Sequence, residues 1–237
     1  MFTIEEVIFV NFKTYPRGTG KEAVEMAKIC IEVSKENEKV KIIPVVQVVD
    51  LYRVGQMLGD TAEIWVQHVD GVKWGQNTGW ILPEGVKNEG ATGSFLNHSE
   101  HKTEVSPSSA PQAPLGNLRA AIERCQEIGL RTLVFASNLP ELKRMVNLGS
   151  EMVAYEPPEL IGSRTDSVAS RSDVISEASK ICQERKVSLI VGAGIHSEAD
   201  IKVSLACGAV GVAIARDIME ADDPRSELAK LHKGFIL

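Results

Sequence analysis

The 237-residue chain predicts an α/β fold, a single (β/α)8 barrel, on three observations. Short β-type runs alternate with amphipathic stretches along the whole sequence. Each run is nearly continuously apolar rather than alternating, as expected of strands covered on both faces. Eight strand-then-helix units in a chain of this length imply parallel strands joined by right-handed crossovers. A count of eight at near the usual size favours closure over an open sheet.

Taken in order, the strand candidates are Val7–Phe12, Lys41–Val48, Ala62–Gln67, Ala91–Leu96, Thr132–Ala136, Met152–Tyr155, Val187–Val191 and Val210–Ile214. The clearest helical stretches between them are Gly20–Glu36, Asn117–Ile128, Asn138–Leu148, Ser172–Glu184, Ser197–Ala206 and Arg225–Lys233. Two of these open on residues suited to capping: Ser197 with Glu198 and Asp200 in the first turn, and Ser172 with Asp173. No linker or second core interrupts the pattern, so residues 1–237 read as one domain. One segment breaks the rhythm. "EVSPSSAPQAPLGN" (104–117), rich in proline and serine, cannot be regular helix or strand and reads as an insertion after the fourth strand. It is either a solvated excursion, an altered subunit contact or a cover over the pocket.

Composition narrows the function. The chain is 43% hydrophobic and 24% charged, which suits a compact globular fold. A net charge of −6 and a pI near 5.5 provide no general basic field for nucleic acid or anionic membrane. No apolar run approaches the roughly 20 residues of a spanning helix, so no membrane is expected. The N-terminal "MFTIEEVIFV" carries acids where a secretory signal would carry basic residues, and it reads as mature sequence. Cys30, Cys125, Cys182 and Cys207 are far apart, each in a segment that reads as helix. Without a CxxC or His–Cys cluster they imply no metal site, and the expectation is reduced, buried thiols in a cytoplasmic protein.

In such a barrel the reactive groups sit where strands end, because the loops there form the ligand-facing rim. The first strand ends in "NFK", giving Asn11 and Lys13. The fourth ends in "NHSE", giving Asn97, His98, Ser99 and Glu100. The sixth ends at Glu156, followed by two prolines and a loop whose one glycine is Gly162. The seventh runs into "GAGIH", and the eighth into "AIARD". A base (Glu156), a hydrogen-bond donor (His98) and a cation (Lys13) thus share one rim, while turns at Gly162, Gly192 and Gly194 can present N–H groups to an anion. Singly, each has a plainer reading: a solvated cap for Lys13, a satisfied polar group for His98, a turn acid for Glu156. Jointly they suit proton abstraction next to a carbonyl on a phosphorylated substrate.

The words "NFKTY", "QHVD", "TGWILPE", "NHSE" and "EPPELIG", in this order, resemble the triosephosphate isomerase family, specifically its short archaeal-type branch, from about Val7 to the last helix. The resemblance implies a TIM barrel acting as an aldose–ketose isomerase on a small phosphorylated triose, with no cofactor and no metal. It implies Glu156 as general base, His98 as electrophile and Lys13 as the charge that neutralises the enediolate. Glu100 would orient the lysine, Ser99 would restrain the base while the site is open, and Asn11 would help hold substrate. Glu156 and its prolines would form one hinge of a lid that contains Ile161 and Gly162. Gly162, Gly194, Ala215 and Arg216 would meet the phosphate. The "DGVKWGQNTGWILPE" loop (70–84) would reach a neighbouring subunit, with Thr78 near the partner's site and Trp74 and Trp80 as packing anchors, in a homo-oligomer that is either a dimer or a tetramer.

The sequence departs from this pattern at the phosphate end. A second glycine is expected after Gly162, but the chain reads Ser163, Arg164, Thr165, Asp166, which removes an easy route to positive φ. A small pair is expected after the eighth strand, where Ala215, Arg216 and Asp217 stand instead. At about 6 Å, Asp217 would repel each phosphate charge by roughly 3 kcal/mol at an effective dielectric near 20, unless it points outward or Arg216 or Arg164 offsets it. His196, where archaeal relatives place serine, reads as a solvated loop residue. Two alternatives therefore stand beside the isomerase: an enzyme for another small phosphorylated hydroxy-carbonyl compound, and a non-catalytic binding barrel.

Overall fold

The first strand, β1 (Glu6–Asn11), shows how the continuous apolar runs are used. Val7 and Phe9 turn inward to a core on the barrel axis, whereas Ile8 and Val10 turn outward to a second core under the helices. Both faces are dry, so the alternation of side chains along the strand leaves no polar signature. A computed structural model describes residues 6–37, 39–59, 62–103 and 118–236. The expected insertion at 104–117 lies outside the described residues.

The remaining strands are β2 (Val40–Val46), β3 (Trp65–Val66), β4 (Gly93–Leu96), β5 (Arg131–Ala136), β6 (Met152–Tyr155), β7 (Ser188–Gly192) and β8 (Gly211–Ile214). They pair in parallel in chain order, and β8 closes on β1 through the register Val7↔Gly211 to Val10↔Ile214. The helices are α1 (Gly20–Ser34), α2 (Val48–Leu58), α3 (Pro83–Asn88), α4 (Leu118–Ile128), α5 (Leu139–Met145), α6 (Ser172–Glu184), α7 (Glu198–Ala206), α8 (Arg216–Met219) and α9 (Pro224–His232). The expected (β/α)8 barrel is present.

The axial core is aromatic at its centre. Phe9 lies 4.8 Å from Trp65 and 5.5 Å from Phe95, and Phe95 lies 4.8 Å from Phe135, ring centre to ring centre. Tilted and edge-on contacts of this kind suit the ring quadrupoles.

Several elements differ from expectation. The third strand pairs over two residues only. Val48 opens α2 instead of ending the second strand. The sequence reading did not separate α2, α3 or α8. Ser197 caps α7 as expected, accepting the Asp200 N–H, but Ser172 is already the first helical residue of α6 and caps nothing. Cys207 caps the end of α7 and is half-exposed, whereas the other three thiols are buried; all four are free. No described helix is long and apolar enough to cross a membrane.

Candidate active site

The inward register of β6 runs through Met152 and Ala154, so the next residue of that parity, Glu156, is delivered to the open end of the barrel axis. Its N–H donates to the Ala136 carbonyl at 2.9 Å, which ties it to the end of β5. The carboxylate is buried. Pro157, in extended conformation, and a 3-10 turn at Pro158–Leu160 leave little backbone freedom behind it.

At the end of β1 the Asn11 side-chain oxygen accepts the Lys13 N–H at 3.0 Å, and Gln67 donates to the Lys13 carbonyl at 2.9 Å. These bonds hold Lys13 at a φ of 44°, an unfavourable value for a residue with a β-carbon. The ammonium meets Glu100 Oε1 at 2.8 Å.

At the end of β4, Asn97 (φ 58°) acts as a clasp. Its amide donates to the Phe135 carbonyl at 2.9 Å and to Glu141 Oε1 at 3.0 Å, and its oxygen accepts the Thr103 N–H at 2.9 Å. Burial pushes the Glu141 carboxyl up, but hydrogen bonds from Lys102, the Ser137 N–H and Asn97 outweigh it and hold the group below its ordinary range. Next to this clasp the His98 ring packs edge-on against Phe135 at 4.7 Å. His98 Nδ1 accepts the Glu100 N–H at 3.2 Å. The neutral ring then carries its proton on Nε2, which lies 3.1 Å from Glu156 Oε2.

The three groups line one cavity of about 60 Å³. Asn11, Lys13, His98 and Glu156 line it together with Ile161, Gly162, Gly194, Ala215 and Arg216. A base, a neutral donor beside it and a cation across the same space can move a proton between adjacent carbons while stabilising an oxyanion. A model of the triosephosphate isomerase family matches residues 6–233. The chain belongs to the triosephosphate isomerase family. It is 34% identical over 226 residues to the triosephosphate isomerase of Methanosarcina barkeri, covering 94% of this chain and 96% of that one. It is 35% identical over 231 residues to that of Metallosphaera sedula, covering 97% and 96%. The fold matches the crystal structure of the triosephosphate isomerase from Bartonella henselae with a TM-score of 0.73 at 18% identity, over 98% of this chain and 99% of that one.

For a triosephosphate isomerase family member, the residues expected to meet phosphate are arranged unlike the sequence-based expectations. The lid tip reaches its turn without the second glycine. None of residues 163–166 takes positive φ, and the Ser163 hydroxyl accepts the N–H groups of Thr165 (3.3 Å) and Asp166 (2.8 Å). Asp217 does not face the cavity as a free charge. Its carboxylate bonds His196 Nδ1 with one oxygen and lies 3.2 Å from Arg216 Nη2 with the other. His196 is therefore a bridging group and not a solvated one. Arg164 points to solvent, 80% exposed, with Glu220 at 3.6 Å.

The Ser99 hydroxyl makes no hydrogen bond to the base: it is buried without a hydrogen-bond partner, as is Glu156 Oε2, although that oxygen lies 3.1 Å from His98 Nε2. Glu100 lines an adjoining groove of about 690 Å³ that shares Asn11, Lys13 and His98 with the cavity. Thr78 and Trp74 do not line this cavity. They sit on an exposed excursion clipped at its base by Asp70 and Ile81, with Trp74 67% exposed. Gln67, which fixes the Lys13 turn, was missed. Its position at a strand end was the signal that would have found it.

Proposed function

We propose that the chain interconverts glyceraldehyde 3-phosphate and dihydroxyacetone phosphate through an enediolate. The observation that carries this reading is the convergence of Glu156, His98 and Lys13, from three separate strands, on one cavity beneath a lid. Glu156 takes the proton from one carbon and returns it to its neighbour. His98 donates from Nε2 to the carbonyl oxygens, and Lys13, held by Glu100 and by its tied backbone, balances the developing charge. Asn11 positions the substrate, and Ile161 and the Gly162 backbone close over it and exclude water. Gly194, Ala215 and Arg216 form the phosphate end. A binding barrel would not need a carboxylate 3.1 Å from a neutral donor in a buried space.

The groove beside Lys13, with exposed Val49 and Tyr52 near it, and the exposed Trp74–Thr78 excursion support a homo-oligomer in which one subunit's loop enters its neighbour's groove. The four free thiols fit a reducing, cytoplasmic setting.

In a coupled assay, Glu156→Gln lowers kcat by about 10²–10⁴-fold, the usual contribution of a positioned base, with circular dichroism unchanged. A wild-type protein no faster than this variant on either triose phosphate would sink the assignment.

A further inference from the structure

Arg216 is the feature of the phosphate end that the family pattern does not account for. It opens α8 directly after β8, and its guanidinium is largely shielded. Nη1 donates to the Gly162 carbonyl and Nη2 to the Ser163 carbonyl, the two consecutive oxygens at the lid tip. The same Nη2 lies 3.2 Å from Asp217 Oδ1. Asp217 is held in turn by His196 Nδ1, and the His196 N–H donates to Asp200 Oδ2 at 3.0 Å. The other ring nitrogen of His196 lies 3.3 Å from the Asp166 carbonyl, on the far shoulder of the lid.

We propose that Arg216 is a latch that holds the lid shut through its two carbonyls, with Asp217 and His196 as its positioning residues. Only a planar guanidinium offers donors in a fixed fork wide enough to serve two carbonyls and a carboxylate at once; an ammonium is a single point. The latch also settles the charge at the phosphate end. Asp217 still lines the cavity beside Arg216, but its two oxygens are committed to His196 and Arg216, so its charge there is paired with a cation. In this arrangement the cavity beneath Gly162 and Ser163 measures about 60 Å³, and moving the lid tip away from it requires both carbonyls to leave Arg216. Arg216 therefore acts on opening as well as on closure. In turnover this role rests on the proposed isomerase reading, but the latch itself can be read without substrate.

Arg164 makes that possible, because it places a trypsin site on the exposed lid tip. Limited trypsinolysis of the native protein, quantified by mass spectrometry, gives the cut after Arg164 relative to the cut after the exposed, remote Lys186. Charge-assisted hydrogen bonds of this kind set the expected change in that ratio at about tenfold or more. Both Arg216→Ala and Arg216→Lys show it, because the lysine keeps the charge but loses the fork. In kinetics, Arg216→Ala lowers kcat and raises KM, whereas Arg216→Lys lowers kcat with a smaller rise in KM. An unchanged ratio in both variants overturns the latch. A rise in the alanine variant alone overturns the two-carbonyl fork and leaves a role for charge only. The ratio corrects for global destabilisation, which speeds both cuts, and it stands even if the wild-type protein fails to isomerise triose phosphates.

Discussion

His232 lies buried at the end of α9 with its Nε2 lacking a hydrogen-bond partner. Burial pushes the ring below its ordinary value of 6.5, and the Glu36 charge pulls only weakly the other way. His68 is lowered chiefly by burial too, against the raising influence of Asp70 and with the stacked His101 ring, 4.4 Å away, lowering it further. Both rings are harder to protonate folded than unfolded, so the unfolded state takes up protons first as the pH falls. Their contribution to stability is intact above about pH 6.5 and drains away below it. The melting temperature of the wild type should fall measurably between about pH 7 and pH 5.5, and His232→Leu should flatten that slope. Equal slopes in the two proteins would assign the acid sensitivity elsewhere. Neither histidine was legible in the sequence as a pH-sensitive group, because burial and neighbours fix the shift. Glu156 was legible, because strand parity and the following prolines are local facts.

Gly194 shows what the loops do as elements. It takes a φ of 64°, and a β-carbon there would lie 2.2 Å from the Asp166 carbonyl oxygen, so the β7 loop supports the lid from below at its C-terminal hinge. Gly194→Ala should push the lid off its seat and raise KM by tenfold or more, roughly 1.4 kcal/mol of lost binding, with the melting temperature lowered by only a few degrees. Unchanged KM would mean that the lid does not rest on this turn. The elements that escaped the sequence reading share a cause. In α2 the apolar residues Val48, Val49, Tyr52 and Met57 face outward and the N-cap residue, Gln47, makes no side-chain capping bond, so "PVVQVVDLYRV" looks like prolonged strand. In β3 only Trp65 and Val66 enter the paired ladder, although the Gln67 N–H still donates to the Val46 carbonyl and the Ile64 carbonyl accepts the Thr92 N–H. The short α8 carries no period to detect.

The ladder that closes the barrel begins with a close approach between its first and last strands. A β-carbon at Gly211 would lie 2.2 Å from the Val7 carbonyl oxygen, backbone against backbone. Gly211→Ala should therefore destabilise the whole fold by about 1–3 kcal/mol or more, with each kcal/mol lowering a calorimetric melt by roughly 2–4 °C. An unaltered melt would show that β1 and β8 part without cost. Closure itself was legible, since eight dry runs with crossovers leave few other ways to hide both faces. The placement of those runs also settled the class and the strand ends that carry Asn11, Lys13, His98 and Glu156, and the words "NFKTY", "NHSE" and "EPPELIG" carried the family resemblance. Spacing along one chain encodes such things directly. What the folded molecule had to supply is the meaning of Arg216, Asp217 and His196. In the sequence they look like a charge conflict at an anion site, and in space they form a support for the lid. Arg216 meets residues more than fifty positions away, through a long side chain with many rotamers, and local pattern cannot choose among those partners.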